Sequence, residues 1–196
     1  MFDSKIFIKE SLIESSEIKL NVLKHCSEDI LKVAKIFISA IKNGNKLLFC
    51  GNGGSAADCQ HIATEFMIRL SLDIARPAIP AIAITTDSSN LTAGGNDIGF
   101  ENIFSRNVEG LGNKGDVLIG ISTSGNSVNI IRAFEKAKEK DITCIGFLGN
   151  DGGKLISFSD YSICIPSLNV QRIQECHITV GHILCEITER VLYEKA

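Results

Sequence analysis

Three stretches of the chain carry residue types that could do chemistry together. His61 and Glu65 stand four apart in His61-Ile-Ala-Thr-Glu65. On a helix, positions i and i+4 point from one face. An imidazole and a carboxylate so placed can share a divalent cation or work as an acid–base pair. The same spacing also describes an ordinary surface ion pair. Near the C-terminus, the run from Gln174 to His182 adds an amide, Glu175 and two imidazoles, His177 and His182. Gln174 and His182 are separated by roughly 12 Å of rise on a straight helix, too far to meet comfortably at one atom. Either Gln174 precedes the regular helix, or two subunits supply the pair. His182 sits among apolar neighbours, as a satisfied core histidine would, and Glu175 and His177 could equally be solvated.

The third stretch is Ser122-Thr123-Ser124-Gly125-Asn126-Ser127. An apolar run precedes it and an amphipathic one, Val128 to Lys138, follows. Strand, hydroxyl-rich turn and helix is the order this implies. The first backbone N–H groups of a helix lack intrahelical partners and carry partial positive charge, so such a turn can hold a phosphate. Ser122, Thr123, Ser124 and Ser127 add hydroxyl donors. No lysine is present, so this is not a Walker-A loop. A Ser/Thr turn with an N-cap and no ligand has the same local sequence.

Gly51-Asn52-Gly53-Gly54-Ser55 is another strand-to-helix turn. It lacks the dinucleotide fingerprint, because Ala56 stands where the third glycine is required. Its plain alternative is a tight turn with glycine at positive φ.

The elements that must position these residues follow from periodicity. Apolar runs at 46–50, 80–84, 117–121, 143–148 and 161–166 read as five strands. Helical patterns cover about 56–70, 100–108, 128–138 and 174–193, and 87–97 reads as irregular. Strands apolar throughout and alternating with helices imply a parallel sheet covered on both faces. Ligands on such sheets bind at the carboxyl ends of the strands, where the glycine-rich and serine-rich turns and the segment after Ile84 all fall. Before the first strand come two helical patterns. Ser27 reads as the N-cap of the second, and Gly44-Asn45 as its stop. The first, about Ile6–Leu23, is expected to pack in a helical core between subunits rather than on its own sheet.

The chain has 196 residues, which makes one domain the default, and 44% of them are hydrophobic. A net charge of −3 gives no reason to expect nucleic-acid or anionic-membrane binding. No stretch is long and apolar enough to span a bilayer. The N-terminal residues mix charge with apolar side chains and show no signal-peptide core, so a cytoplasmic protein is expected. The seven cysteines are odd in number and form no Cys-x-x-Cys pair, which points to neither a disulfide framework nor a thiolate zinc site.

Taken together, these residues resemble the SIS (sugar isomerase) domain family and, within it, the phosphoheptose isomerases. The matching stretches are Gly51 to Asp58, Gln60-His61 with Glu65, Ile84 to Ser89, and Gly95-Asn96-Asp97 with Gly99-Phe100. They continue through Ile103 to Arg106, Gly115 to Ser127, Gly149, Asp151 to Lys154, Arg172 to Glu175, and His177 with His182. The serine-rich turn marks only the broader domain, whereas the His61/Glu65 and Gln174/His182 pairs together are more specific. The resemblance implies an α/β three-layer sandwich of flavodoxin type, one SIS domain over 1–196. Its five-stranded parallel sheet is flanked by helices, and an N-terminal helical segment (about 4–44) serves oligomer packing. It implies a homotetramer with sites at subunit boundaries, and one Zn2+ per subunit on His61, Glu65, Gln174 and His182. It places substrate phosphate on Ser122, Thr123, Ser124 and Ser127, and the sugar at Asn52, Gly53, Gly54, Ser55, Glu65, Asn96, Asp97 and Gln174. Glu65 and His182 map onto the family's proton carriers.

The implied activity is isomerisation of D-sedoheptulose 7-phosphate to D-glycero-D-manno-heptose 7-phosphate through an enediol, the first step of nucleotide-activated heptose synthesis. Such a reaction needs a base for the carbon acid and help for the oxygen that becomes negative. A non-catalytic SIS tetramer that binds the bacterial replication initiator, or an isomerase for another phosphosugar, would share much of this sequence. Retention of both pairs favours the enzyme. Gly94, where a bulkier residue is expected, loosens a Gly94-Gly95 turn, and the cysteine content is unusual.

Overall fold

The computed structural model describes residues 2–194. Its first helix, α1, runs from Ser4 to Lys42 without interruption. The expected break near Ser27 does not occur, because no glycine or proline lies between Ser4 and Lys42. Ser27 instead donates its hydroxyl to the carbonyl of Leu23 one turn back, as mid-helix serines do. Asp3 is the N-cap, accepting from the amides of Lys5 and Ile6.

Five strands follow: β1 (Leu47–Gly51), β2 (Ala81–Ala83), β3 (Val117–Ser122), β4 (Thr143–Gly149) and β5 (Tyr161–Ile165). Between and after them come α2 (Gly54–Met67), α3 (Ser88–Asp97), α4 (Ile103–Leu111), α5 (Val128–Glu139) and α6 (Val170–Tyr193). All strand pairs are parallel, in the order β2-β1-β3-β4-β5. The chain starts near the middle of the sheet, steps to β2, then returns past β1 to β3. That reversal opens a crevice at the carboxyl ends of β1 and β3, and the 51–55 and 122–127 turns leave the sheet there.

Every residue of β1 and β3 is buried, as the unbroken apolar runs predicted. Alternate residues enter opposite layers: Leu47 and Phe49 pack with α1, α2 and α6, while Leu48 and Cys50 pack with α4 and α5. α1 therefore does pack on its own sheet, through Ile18, Val22, Ile30, Val33, Ala34 and Phe37. Its N-terminal third leaves Ile6, Phe7, Ile8 and Leu12 exposed.

The segment expected to be irregular is α3, capped by Asp87, which accepts from the amide of Asn90. Gly94 and Gly95 lie inside this helix rather than in a turn, and a Cβ on Gly94 would stand 3.0 Å from Ile103. The glycine permits α3 to approach α4. All seven cysteines are free. Burial pushes the thiols of Cys50 and Cys59 well up and that of Cys144 up to about 12, so these are packing residues rather than nucleophiles. Among the described residues, no helix is long and apolar enough to cross a membrane.

Candidate active site and metal-binding triad

α2 and α6 lie side by side on one face of the sheet. Their contact is close because Gly181 has no side chain: a Cβ there would stand 2.5 Å from Cδ1 of Ile62. Ile62 follows His61 and Gly181 precedes His182, so this contact sets the two imidazoles opposite each other. His61 Nε2 lies 3.3 Å from His182 Nε2 and 3.1 Å from Glu65 Oε1. The three donor atoms all fall within 4.8 Å of one another. His182 is thus not a core histidine satisfied by backbone; it is half-buried and faces the exposed His61. The His61 side chain keeps 48% of its surface exposed and that of Glu65 keeps 18%, so the cluster is reachable.

The donor set suits a divalent ion. Bonds of roughly 2.0–2.1 Å from a tetrahedral zinc to nitrogen or oxygen place ligand atoms roughly 3.3 Å apart. The two spacings at His61 Nε2 lie close to that edge. Two imidazoles and one carboxylate leave a fourth position for water, substrate or a further ligand. Asp58, one turn before His61, has Oδ2 buried without a hydrogen-bond partner among the described residues. Burial raises its carboxyl above the usual range, with the neighbouring His61 opposing the shift.

Gln174 is the fifth residue of α6 and is helical, so the alternative of a non-helical start is ruled out. It stands roughly 12 Å along the axis from His182. Its amide lies over the other end of α2, where a Cβ on Gly54 would come within 2.6 Å of Nε2. One chain therefore brings together His61, Glu65 and His182, and puts Gln174 beside the glycine-rich turn.

That turn and the serine-rich turn meet at the sheet crevice. Asn52 exchanges two side-chain hydrogen bonds with Asn129, at 3.0 and 2.8 Å. Asn129 is buried in the first turn of α5, so the pair fixes the first loop against the second helix. Ser55 is buried, and its amide donates to the carbonyl of Asn52. In the serine-rich loop, Ser122 Oγ and Ser127 Oγ lie 3.0 Å apart, and the amide of Gly125 donates to Ser122 Oγ. Ser127 is the N-cap residue of α5 but its side chain makes no capping bond. The plain reading of the motif, a side-chain N-cap, is therefore not what this loop does. Gly125 has φ +63°, and a Cβ would lie 2.0 Å from the Gly152 carbonyl oxygen; only glycine fits. Thr123 is half-buried and Ser124 exposed. Among the described residues, Asn96 and Asp97 make no side-chain hydrogen bond to either cluster. They lie exposed at the end of α3, where Asn96 donates to Asp97 at 2.6 Å.

Comparison with known proteins gives this geometry a family. The SIS domain model matches residues 13–149. A phosphoheptose isomerase of Clostridium acetobutylicum is 52% identical over 191 residues, covering 96% of each chain. One from Aquifex aeolicus is 51% identical over 189 residues, covering 96% of this chain and 98% of the other. The chain belongs to the SIS-domain family, among the phosphoheptose isomerases. Two solved structures agree: phosphoheptose isomerase GmhA from Neisseria gonorrhoeae, with a TM-score of 0.89 at 39% identity over 95% of this chain and 98% of that one, and a phosphoheptose isomerase from Francisella tularensis, with a TM-score of 0.92 at 35% identity over 96% and 100%. The five-stranded parallel sandwich expected of the domain is the fold observed. These relatives carry an enzyme's name, and none of them supports a replication-initiator-binding role.

Some residues of this isomerase that matter to the site escaped sequence reasoning. Asn129 carries no local signal beyond its place after Ser127. His177, whose sequence surroundings leave burial or solvation equally open, is fully buried. Its Nε2 donates to the carbonyl of Leu148 at 3.0 Å, and Nδ1 has no partner among the described residues. Burial lowers its pKa to about 4, the Leu148 hydrogen bond partly opposing this. An unfolded histidine titrates near 6.5. Between these values the unfolded chain takes up a proton that the folded chain refuses, so stability falls as pH drops from about 6.5 towards 4. The expected loss is on the order of 3 kcal/mol. Urea unfolding at pH 7 and pH 4.5 checks this. His177→Asn should flatten the acid slope even if it lowers stability at pH 7, and an unchanged slope would contradict the assignment.

Proposed function

We propose that this enzyme isomerises D-sedoheptulose 7-phosphate to D-glycero-D-manno-heptose 7-phosphate, with His61, Glu65 and His182 at the reacting carbons. The observation that carries this assignment is the convergence of those three side chains from two helices, with spacings of 3.1 and 3.3 Å. Glu65 takes a proton from C1 of the ketose, giving an enediol, and returns it to C2. His182 relays a proton from the C1 hydroxyl to the oxygen on C2. No atom is gained or lost. Zinc, when bound by His61, Glu65 and His182, supplies Lewis-acid polarisation of the carbonyl and hydroxyl oxygens.

The substrate phosphate sits at the start of α5, held by Ser122, Thr123, Ser124 and Ser127. Ser127 supports this assignment because its hydroxyl is not used as a cap. Asn52, Gly53, Gly54 and Ser55 line the sugar path, and phosphate binding far from the reacting carbons fixes orientation. Gln174, Asn96 and Asp97 lie outside the triad of their own chain, so they serve in a site shared between copies. Gln174 of a neighbouring copy would complete the ligand set. A tetramer is consistent with the exposed Leu20, Leu23 and Leu31 on α1 and Ile183 and Val191 on α6, more apolar side chains than an isolated helix pair would leave in water.

One experiment tests substrate and assembly together. Light scattering on a size-exclusion column should give four times the chain mass of 21.2 kDa, and that peak, supplied with zinc, should convert sedoheptulose 7-phosphate to the aldoheptose phosphate. A stable monomer carrying full activity would rule out shared sites. A tetramer inert towards the heptose phosphate but active on another ketose phosphate would reassign the substrate.

A further inference from the structure

A buried ion pair lies directly behind the triad. Arg76, in the loop after α2, and Glu189, on α6, have side chains 1% and 0% exposed. Arg76 Nε donates to Glu189 Oε1. The rest of the guanidinium serves backbone: Nη2 donates to the Glu65 carbonyl at 2.7 Å, and Nη1 to the carbonyls of Phe66 at 2.8 Å and Pro77 at 3.0 Å. Glu189 also accepts from the amide of Leu70 at 3.3 Å. The fork thus takes up carbonyls in the last turn of α2, one of them belonging to Glu65 itself.

On α6, Glu189 is seven residues beyond His182, two turns along the same stripe. Cys185 lies between them, fully buried. The pair therefore joins the helix that carries His61 and Glu65 to the helix that carries His182, on the face where the triad meets. Buried ion pairs are weak stabilising devices: desolvation offsets the attraction, and well-packed apolar replacements are often neutral or better. Glu189 Oε2 is even left without a partner among the described residues. A planar fork with several fixed directions is nonetheless a good device for setting orientation.

We propose that Arg76 and Glu189 are positioning residues that fix the axial and rotational setting of α2 against α6, and so hold Glu65 and His182 at their working separation. This inference rests on the triad being the catalytic centre. The test uses the full-length enzyme with Arg76→Met/Glu189→Leu, which removes both buried charges and orphans neither. Thermal unfolding, kcat, KM and the affinity of the metal-stripped protein for Co2+, read by visible absorption, are compared with the parent. Outer partners of metal ligands typically alter affinity or activity by about 10–100-fold. The expected result is a lowered unfolding temperature, because the carbonyls of residues 65, 66 and 77 and the Leu70 amide lose their partners, with kcat and Co2+ affinity both lowered by a factor in that range and KM within about twofold.

A purely structural pair would leave kcat and Co2+ affinity at parental values, and that result overturns the proposal. Should the double variant fail to fold, Arg76→Lys keeps the charge beside Glu189 and loses the fork to the 65 and 66 carbonyls. It should show the same split in smaller measure, and parental kcat there is equally decisive against the clamp. If the parent takes up no Co2+, the metal assignment falls and kcat alone decides the clamp. Glu65→Gln run in parallel separates the two failures. Full activity of Glu65→Gln rejects the triad and the clamp with it, whereas an impaired Glu65→Gln beside fully active clamp variants rejects the clamp alone.

Discussion

Glu65→Gln is expected to leave a folded enzyme that turns over sedoheptulose 7-phosphate on the order of 10²–10⁴ times more slowly. The replacement is isosteric, and the side chain is only 18% exposed, so the helix contact at Gly181 and Ile62 should be kept. The new amide can still hydrogen-bond near His61. What it cannot do is accept a proton from carbon. A carboxylate that binds a metal is also a weaker base, and Glu65 stands where it could serve either role. Zinc dependence of the variant separates them. If Glu65 is chiefly a ligand, excess zinc should restore kcat. If it is the base, the deficit should persist at saturating zinc with KM little changed, and this second outcome is expected. Activity at the parental level without added zinc would show that Glu65 does neither.

The sheet was legible because its strands are apolar on both faces. The apolar runs at 46–50, 117–121 and 143–148 correspond to β1, β3 and β4, which end one residue later and pair in parallel register, and the turns after the first two lead into helices. The pairing of His61 with Glu65 was legible for a similar reason, since four-residue spacing is a local property of a helix. Elements misread were those where local signals point the wrong way. Ser27 with Glu28 and Asp29 looks like a helix start, yet Val22, Cys26 and Ile30 continue one buried stripe through it. Gly94 and Gly95 look like a turn, yet Asp87 caps a helix that contains them. α6 starts four residues before Gln174, capped by Asn169, and so the question of whether Gln174 is helical could be answered only from structure. The pairings of Asn52 with Asn129 and of Arg76 with Glu189 join residues 77 and 113 apart in sequence. No period or motif connects such partners; the sheet order and the α2–α6 contact do.

His182→Ala is expected to abolish tight metal binding and, with it, turnover. Nε2 of His182 is the donor that α6 contributes to the triad, 3.3 Å from His61 Nε2. Without it, one imidazole and one carboxylate from the same turn of α2 remain, which is the arrangement of an ordinary surface His–Glu pair. Loss of a direct ligand should exceed the effect of an outer partner, so affinity should fall by more than about 100-fold. The fold should survive, because the contact that holds the helices together is made by Gly181 on Ile62 rather than by the imidazole. Metal content after gel filtration, circular dichroism and kcat would be measured on the same preparation. The expected pattern is near-parental ellipticity, no retained zinc and a rate reduced at least as much as in Glu65→Gln. Added imidazole together with zinc should recover part of the rate in His182→Ala and none in Glu65→Gln, since only the first leaves a hole of imidazole shape. A variant that keeps both its zinc and its turnover would reduce His182 to a neighbour of the site, and would move the search for the second proton carrier to whatever a neighbouring copy brings to His61 and Glu65.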